Sequence, residues 1–178
     1  MRWWSLMRIL SMKSERAVHN IEPVYDRDSR ILILGSFPSV KSREAAFFYH
    51  HPQNRFWKVL AGVYKEPIPD TIEEKKKFLH RNHIAVWDVI ASCTISGSSD
   101  ASIRDVVPNP IERILEEADI RQIFVNGKTA GKMFVKYQQE KLGRDAIVLP
   151  STSPANAAWT LDKLLDAWGE ALCCRKND

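Results

Sequence analysis

The stretch "RILILGSFPS", residues 30–39, sets a continuous β-branched and leucine run against a glycine and a short tail of small polar residues. A segment apolar at every position, not at alternate ones, predicts a strand buried on both faces, as in a parallel sheet. Similar runs predict strands at 84–89, 123–125 and 146–149. Helical spacing fills the gaps. Phe56, Trp57, Leu60 and Val63 follow Asn54, a natural N-cap, and Thr71 with Glu74 forms a capping-box pattern ahead of Phe78 and Leu79. "PNPIERILEE" puts Asn109 at a cap and Pro110 in the first turn. Ala130, Met133, Phe134 and Tyr137 share a face of a helix ending at Gly143, and Leu161, Leu164, Leu165, Trp168 and Leu172 make the last helix amphipathic. This alternation predicts a three-layer α/β/α fold around a mostly parallel four-stranded sheet.

The chain of 178 residues suits one core, and 44% hydrophobic with 27% charged residues is a globular composition. Its apolar runs are a few residues long, far short of the roughly 20 that cross a bilayer, so no membrane association is expected. The start, "MRWWSLMRILSMKSER", is interrupted by Arg8 and Lys13 and carries no small-residue cleavage site, which argues for a cytoplasmic protein. Residues 1–29 are expected to form a partly loose N-terminal extension, with Met7 and Met12 as alternative starts and residues 30–178 as the domain. Cys93, Cys173 and Cys174 have no spacing for a disulfide framework, a zinc site or an iron–sulfur cluster, so no metal is implied. A formal charge of +4 is compatible with a polyanionic partner without demanding one.

In such sheets ligands bind beyond the carboxyl ends of the strands. Four segments should share that rim: "GSFPS" (35–39), Asp88 with "ASCTISGSSD", Asn126-Gly127, and "PSTSPANA" (150–157). None carries a dinucleotide fingerprint, and "NGKTAGKM" has the wrong glycine spacing for a phosphate loop. A nucleophile elbow and a metal-ligand set are also missing. What remains is hydroxyls, amides and backbone N–H groups beside Phe37, Phe47, Phe48 and Tyr49, an inventory suited to a base pocket bordered by phosphate contacts.

"LILGSFPS", "YHHPQNRFW", "VWDVI" and "LPSTSPANA" resemble the two end motifs and the middle of the uracil-DNA glycosylase superfamily, and within it the hypoxanthine-DNA (deoxyinosine) glycosylase branch. The similarity runs from about residue 30 to residue 168. It implies a monofunctional base-excision repair enzyme without metal or cofactor, acting as a monomer on DNA that contains a deaminated base. Such an enzyme flips the damaged nucleotide out and hydrolyses its N-glycosidic bond. Phe37 stands where many relatives carry a water-holding Asn, Asp or Glu. The resemblance moves that task to Asn54, whose amide oxygen would orient water and stabilise charge developing on the sugar.

By the same resemblance Tyr49 stacks on the flipped base. Asp88 accepts N1–H of hypoxanthine, and Ser36 and the Phe37 backbone touch base or water. Ser151 replaces the second-motif His or Asn aimed at the leaving base. Ser153, Pro154, Ala155 and Asn156 belong to the loop that meets DNA, with residues 154–156 entering the helix in place of the flipped nucleotide. Arg55, Lys58 and Lys128 are candidate phosphate contacts, with His50 and His51 nearby, and Asp100 orders the serine-rich loop. Lys75 with its two neighbours reads as a solvated helix face. The competing readings are a uracil or mismatch-specific glycosylase of this fold and a DNA-binding module that has lost catalysis.

Overall fold

In the computed structural model, which describes residues 14–173, the chain begins with β1 (Glu15–Val18), β2 (Ile31–Gly35), α1 (Val40–Ala45), α2 (Phe56–Tyr64) and α3 (Ile72–Arg81). It continues through β3 (Ile84–Asp88), β4 (Ile90–Ile95), β5 (Arg104–Pro108), α4 (Glu112–Glu117) and β6 (Gln122–Asn126). It closes with α5 (Lys128–Phe134), α6 (Glu140–Leu142), β7 (Ala146–Leu149) and α7 (Leu161–Cys173). The expected four strands form one parallel sheet in the order β3-β2-β6-β7. From β2 the chain steps to one side and then crosses to the other. The order therefore reverses between β2 and β6, and a crevice opens beyond their carboxyl ends.

Residues 91–95, expected as rim loop, instead belong to the strand β4. Ile90, Cys93 and Ile95 are buried, and β4 pairs antiparallel with both β1 and β5 in a second, three-stranded sheet. The run at 84–89 therefore ends one residue early, at Asp88, and turns directly into β4. Asn109, expected as a helix cap, is recruited by that turn. Its amide donates to the carbonyls of Asp88 (2.9 Å) and Ile90 (3.1 Å) on either side of the bend, while α4 starts only at Glu112.

Residues 14–29 pack with the domain. β1 pairs with β4, Val24 exchanges backbone hydrogen bonds with Val86 at 3.0 and 2.9 Å, and the Trp87 indole donates to Ile21 O at 3.2 Å. The packed body thus begins before residue 30, because the exposed edges of β3 and β4 need pairing. Residues 1–13 of the expected extension, with Met7 and Met12, lie outside the described residues, as does Cys174.

α2 and α7 pack on each other through Phe56 and Trp168, edge to face at 6.0 Å, and through Gly62, where an added Cβ would stand 2.4 Å from Leu165 Cδ2. Burying either large ring contributes about 2–3 kcal/mol. The Trp168 indole also donates to Pro150 O at 3.0 Å, which anchors the loop after β7. The capping box at Thr71 and Glu74 forms. Lys75 is buried, its ammonium 5.4 Å from the Trp57 ring centre, rather than solvated like exposed Lys77. Among the described residues no helix is long and apolar enough to cross a membrane.

Candidate active site

Beyond the ends of β2, β3, β6 and β7 lies a cleft of about 500 Å³. Its lining includes Ser36, Phe37, Tyr49, Asn54, Asp88 and Ser151, which the sequence had scattered over more than a hundred positions. The loop at 153–155 completes the rim, together with Ser98, Ser99 and Asp100.

The inner wall is built on strand ends. Asp88, last in β3, is buried, and its Oδ2 accepts a 2.7 Å hydrogen bond from His19 Nε2. The ring's tautomer follows from its other nitrogen: Nδ1 accepts the Ile21 N–H at 3.2 Å, so the proton sits on Nε2. Three aromatic rings enclose the imidazole, Phe37 and Phe48 at 6.1 Å and Trp87 at 6.4 Å. Asp88 Oδ1 lies over Gly35, where an added Cβ would be 2.2 Å from it and 3.2 Å from the Tyr49 hydroxyl. Only glycine at the end of β2 lets these two groups approach.

Tyr49 holds a left-handed backbone conformation (φ 50°), which is strained for so bulky a residue. Its ring stacks on Phe56 at 3.8 Å and 19°, so one face is already covered and a base can meet only the other face or the edge. Burial, and after it the Asp88 charge, push its phenol well above the ordinary value, with the Asn126 amide acting the other way. Ser36 donates to Asp100 Oδ1 at 3.2 Å, which ties the serine-rich loop to the cleft floor. Burial raises the Asp100 carboxyl above the usual carboxylate range, opposed by that Ser36 bond and aided by Asp88.

The lip opposite is built from loops. Asn54 precedes α2, and its Oδ1 accepts from Phe56 N (2.9 Å) and from Thr152 Oγ1 (2.9 Å). The Phe56 N–H is an obligate donor, so the oxygen must face it, and two bonds fill that oxygen's usual capacity. The amide oxygen is therefore not the group offered to water; the Nδ2 end remains for the cleft. Asn126 fixes this arrangement from the end of β6: its Nδ2 donates to Thr152 Oγ1 (2.9 Å) and its Oδ1 accepts Thr152 N–H (3.0 Å). Thr152 is fully buried.

Arg55, expected at phosphate, turns inward. Its guanidinium donates to the carbonyls of Thr152 (3.4 Å), Ser153 (2.8 Å), Asn156 (3.2 Å) and Trp159, stiffening the loop after β7. Asn156 likewise braces this loop, donating to Ser151 O at 3.0 Å. Ser151 presses against Gly127, whose φ of 99° and lack of a side chain both serve that approach, and its Oγ accepts Ser153 N–H at 3.2 Å. The Ser153 hydroxyl accepts Ala155 N–H at 3.2 Å. Pro154 and Ala155 are exposed at the loop tip. Lys128, exposed at the start of α5, and Lys58, exposed on α2, are available at the surface. His51 lines the cleft with Nδ1 accepting Gln53 N–H at 3.1 Å, while His50 is exposed outside it. Among the described residues no His, Cys, Asp or Glu cluster is arranged to hold a metal ion.

His19, Thr152 and Asn126 are the polar groups that the sequence reading missed. Thr152 and Asn126 sat inside quoted rim segments, whereas His19 lay in the expected extension and carried no local signal.

This fold and cleft define the class. The family model of the uracil DNA glycosylase superfamily matches residues 22–172, and the chain belongs to that superfamily. Among curated relatives it is 35% identical over 144 residues to the hypoxanthine DNA glycosylase of Methanosarcina acetivorans, covering 79% of this chain and 89% of that protein. It is 31% identical over 153 residues to the hypoxanthine DNA glycosylase of Methanosarcina barkeri, covering 84% and 94%. A solution NMR structure from M. acetivorans, described as a candidate uracil DNA glycosylase, superposes with a TM-score of 0.73 at 31% identity, covering 85% of this chain and 94% of that one.

Proposed function

We propose that this chain is a monofunctional DNA glycosylase that flips hypoxanthine out of DNA and hydrolyses its N-glycosidic bond, acting as a monomer in the cytoplasm. The observation that carries this reading is the single cleft with two unlike walls: the buried Asp88 acceptor on one side, and the Asn54 amide with the exposed Pro154-Ala155 tip on the other. The names of its relatives support the choice of base.

In this reading Asp88 Oδ1 accepts N1–H of hypoxanthine and disfavours adenine, whose N1 is itself an acceptor. Tyr49 packs on the base with the ring face that Phe56 leaves open, and Ser36 and the Phe37 backbone border it. As the bond to the base stretches, positive charge grows on the sugar, and a strong base is not needed to bring in water. Asn54 Nδ2 donates to one lone pair of that water and leaves the other to attack C1′, while the proton the water sheds passes to the departing base, which leaves neutral; the amide is locked by Thr152 and Asn126, so that no reorganisation is required at the transition state. Ser151, with an oxygen lone pair occupied by Ser153 N–H, has its hydroxyl hydrogen free to donate to the departing base. Pro154 and Ala155 fill the gap in the duplex, Lys128 and Lys58 meet phosphate, and Arg55 with Asn156 acts through the loop it braces.

The test is a duplex with one deoxyinosine or one deoxyuridine, incubated with the protein and then treated with alkali. Strand breaks at hypoxanthine are expected in excess over those at uracil. Breaks at uracil alone would transfer the reading to a uracil glycosylase. Binding without breaks at either would leave a DNA-binding module.

A further inference from the structure

We propose that His19 is a specificity-determining positioning residue that blanks one oxygen of Asp88, so that the cleft accepts a base with a single N–H donor on its pairing edge and rejects guanine. The proposal rests on the base-excision reading above and adds what that reading lacks, a way to spare the commonest base that also carries N1–H. Guanine offers two adjacent donors, N1–H and its exocyclic 2-amino group, whereas hypoxanthine offers N1–H and a bare C2–H. An open carboxylate would take guanine with both oxygens, and a bidentate pair of that kind is worth roughly tenfold or more in discrimination. A free Asp88 would therefore favour the wrong base.

The geometry removes that advantage. Oδ2 is taken by His19 Nε2–H at 2.7 Å, and the pair is closed to solvent, with the His19 side chain 1% exposed. The imidazole cannot swing away. Phe37, Phe48 and Trp87 surround it, the Ile21 N–H holds Nδ1, and the His19 N–H is tied to Ala91 O at 2.7 Å. Oδ1 alone is left at the cleft side, over Gly35. One acceptor then meets one donor: the imidazole and its aromatic box stand where a second donor would have to approach Oδ2, and the 2-amino group of guanine would be buried without a partner, losing its hydrogen bonds to water.

The experiment compares the wild-type chain with His19→Leu, which fits the aromatic box but donates nothing, and His19→Gln, whose Nε2–H can reach Asp88. Duplexes carry hypoxanthine or guanine opposite thymine. Excision rates are read, along with affinities for the same duplexes made uncleavable by 2′-fluoroarabinose at the target nucleotide. His19→Leu should narrow the hypoxanthine-to-guanine ratio by about tenfold, and His19→Gln should restore it. A folded Leu variant with the wild-type ratio, or a Gln variant no better than Leu, overturns the proposal. If the Leu variant does not fold, His19→Asn, too short to reach the carboxylate, takes its place under the same criteria. A wild-type chain inactive on both bases would instead defeat the excision reading itself, and the inference with it.

Discussion

The two walls of the cleft solve opposite problems with the same polar chemistry. The inner wall stands on strand ends: Asp88 and Gly35 are adjacent in register across β3 and β2, and the side chains of Asp88 and of His19, which holds it, are both closed to bulk solvent. Position there is set by the sheet, so one imidazole suffices to orient the acceptor. The lip is irregular chain with no ladder to stiffen it. A guanidinium takes the ladder's place, with Arg55 gathering four carbonyls of the loop after β7. On the proposed function, base reading falls to rigid elements and duplex entry to a braced loop, the division expected when one function needs fixed geometry and the other needs reach.

The sharpest way to break this comparison is at Asn54, the lip residue proposed to hold the attacking water. Asn54→Ala should lower excision about a hundredfold, since a preorganised polar group of this kind contributes about 3 kcal/mol to the transition state. Stability should fall by about 2–3 kcal/mol, since the variant loses the cap-like bond from Phe56 N–H and leaves the buried Thr152 hydroxyl without its acceptor. Single-turnover rates alongside thermal melts separate the two. Excision within threefold of wild type would remove Asn54 from the reaction and leave it a helix-start residue.

On the inner wall, Asp88→Asn tests position against charge. The amide oxygen would turn to His19 Nε2–H, leaving the NH2 group at the cleft, so the reading group changes from acceptor to donor. Hypoxanthine excision should drop about tenfold or more, while the relative preference for adenine, whose N1 accepts, rises. Competition between the two duplexes measures it, and an unmoved ratio would mean that Asp88 does not face the pairing edge.

Arg55→Ala should act on both stability and rate, because it removes the donor shared by four part-buried carbonyls of one loop. About 2–3 kcal/mol of stability and roughly tenfold in excision are expected. Arg55→Lys should recover little, since one ammonium cannot span carbonyls that a planar fork reaches together. Hydrogen exchange at Ser153 and Asn156 would report the loosened loop; unchanged protection there would dismiss the brace.

How much of this was legible depended on whether a residue's partner was local. The β2 run, the Thr71 capping box and the Gly143 stop were readable because period and cap chemistry are local properties. The rim segments were readable because parallel strands place their carboxyl ends together. Arg55 read as aimed outward at phosphate and Asn54 as a cap that also holds water, yet the Arg55 fork is spent on partners about a hundred positions away, and Asn54 Oδ1, besides its local bond from Phe56 N–H, accepts from one equally distant. Asn109 looked like a cap for the same reason: a cap and an interior clamp share one side chain, and only the bend after Asp88 chooses between them. His19 was invisible, since a lone histidine before the first recognised strand gives no sign of a strand edge waiting 70 residues on.

The smallest effect is expected where neither wall is involved. Lys128 is exposed at the start of α5, next in sequence to Gly127, on which Ser151 packs. Lys128→Ala should leave the single-turnover rate at saturating protein unchanged and weaken DNA affinity a few-fold at low salt. The loss of one phosphate contact should lower the magnitude of the slope of log affinity against log salt by about one. Because this contact carries no base information, the hypoxanthine-to-uracil ratio should not move. A slope that stays fixed would place Lys128 off the DNA path, and the lip would then hold the duplex through the braced loop and Lys58 alone.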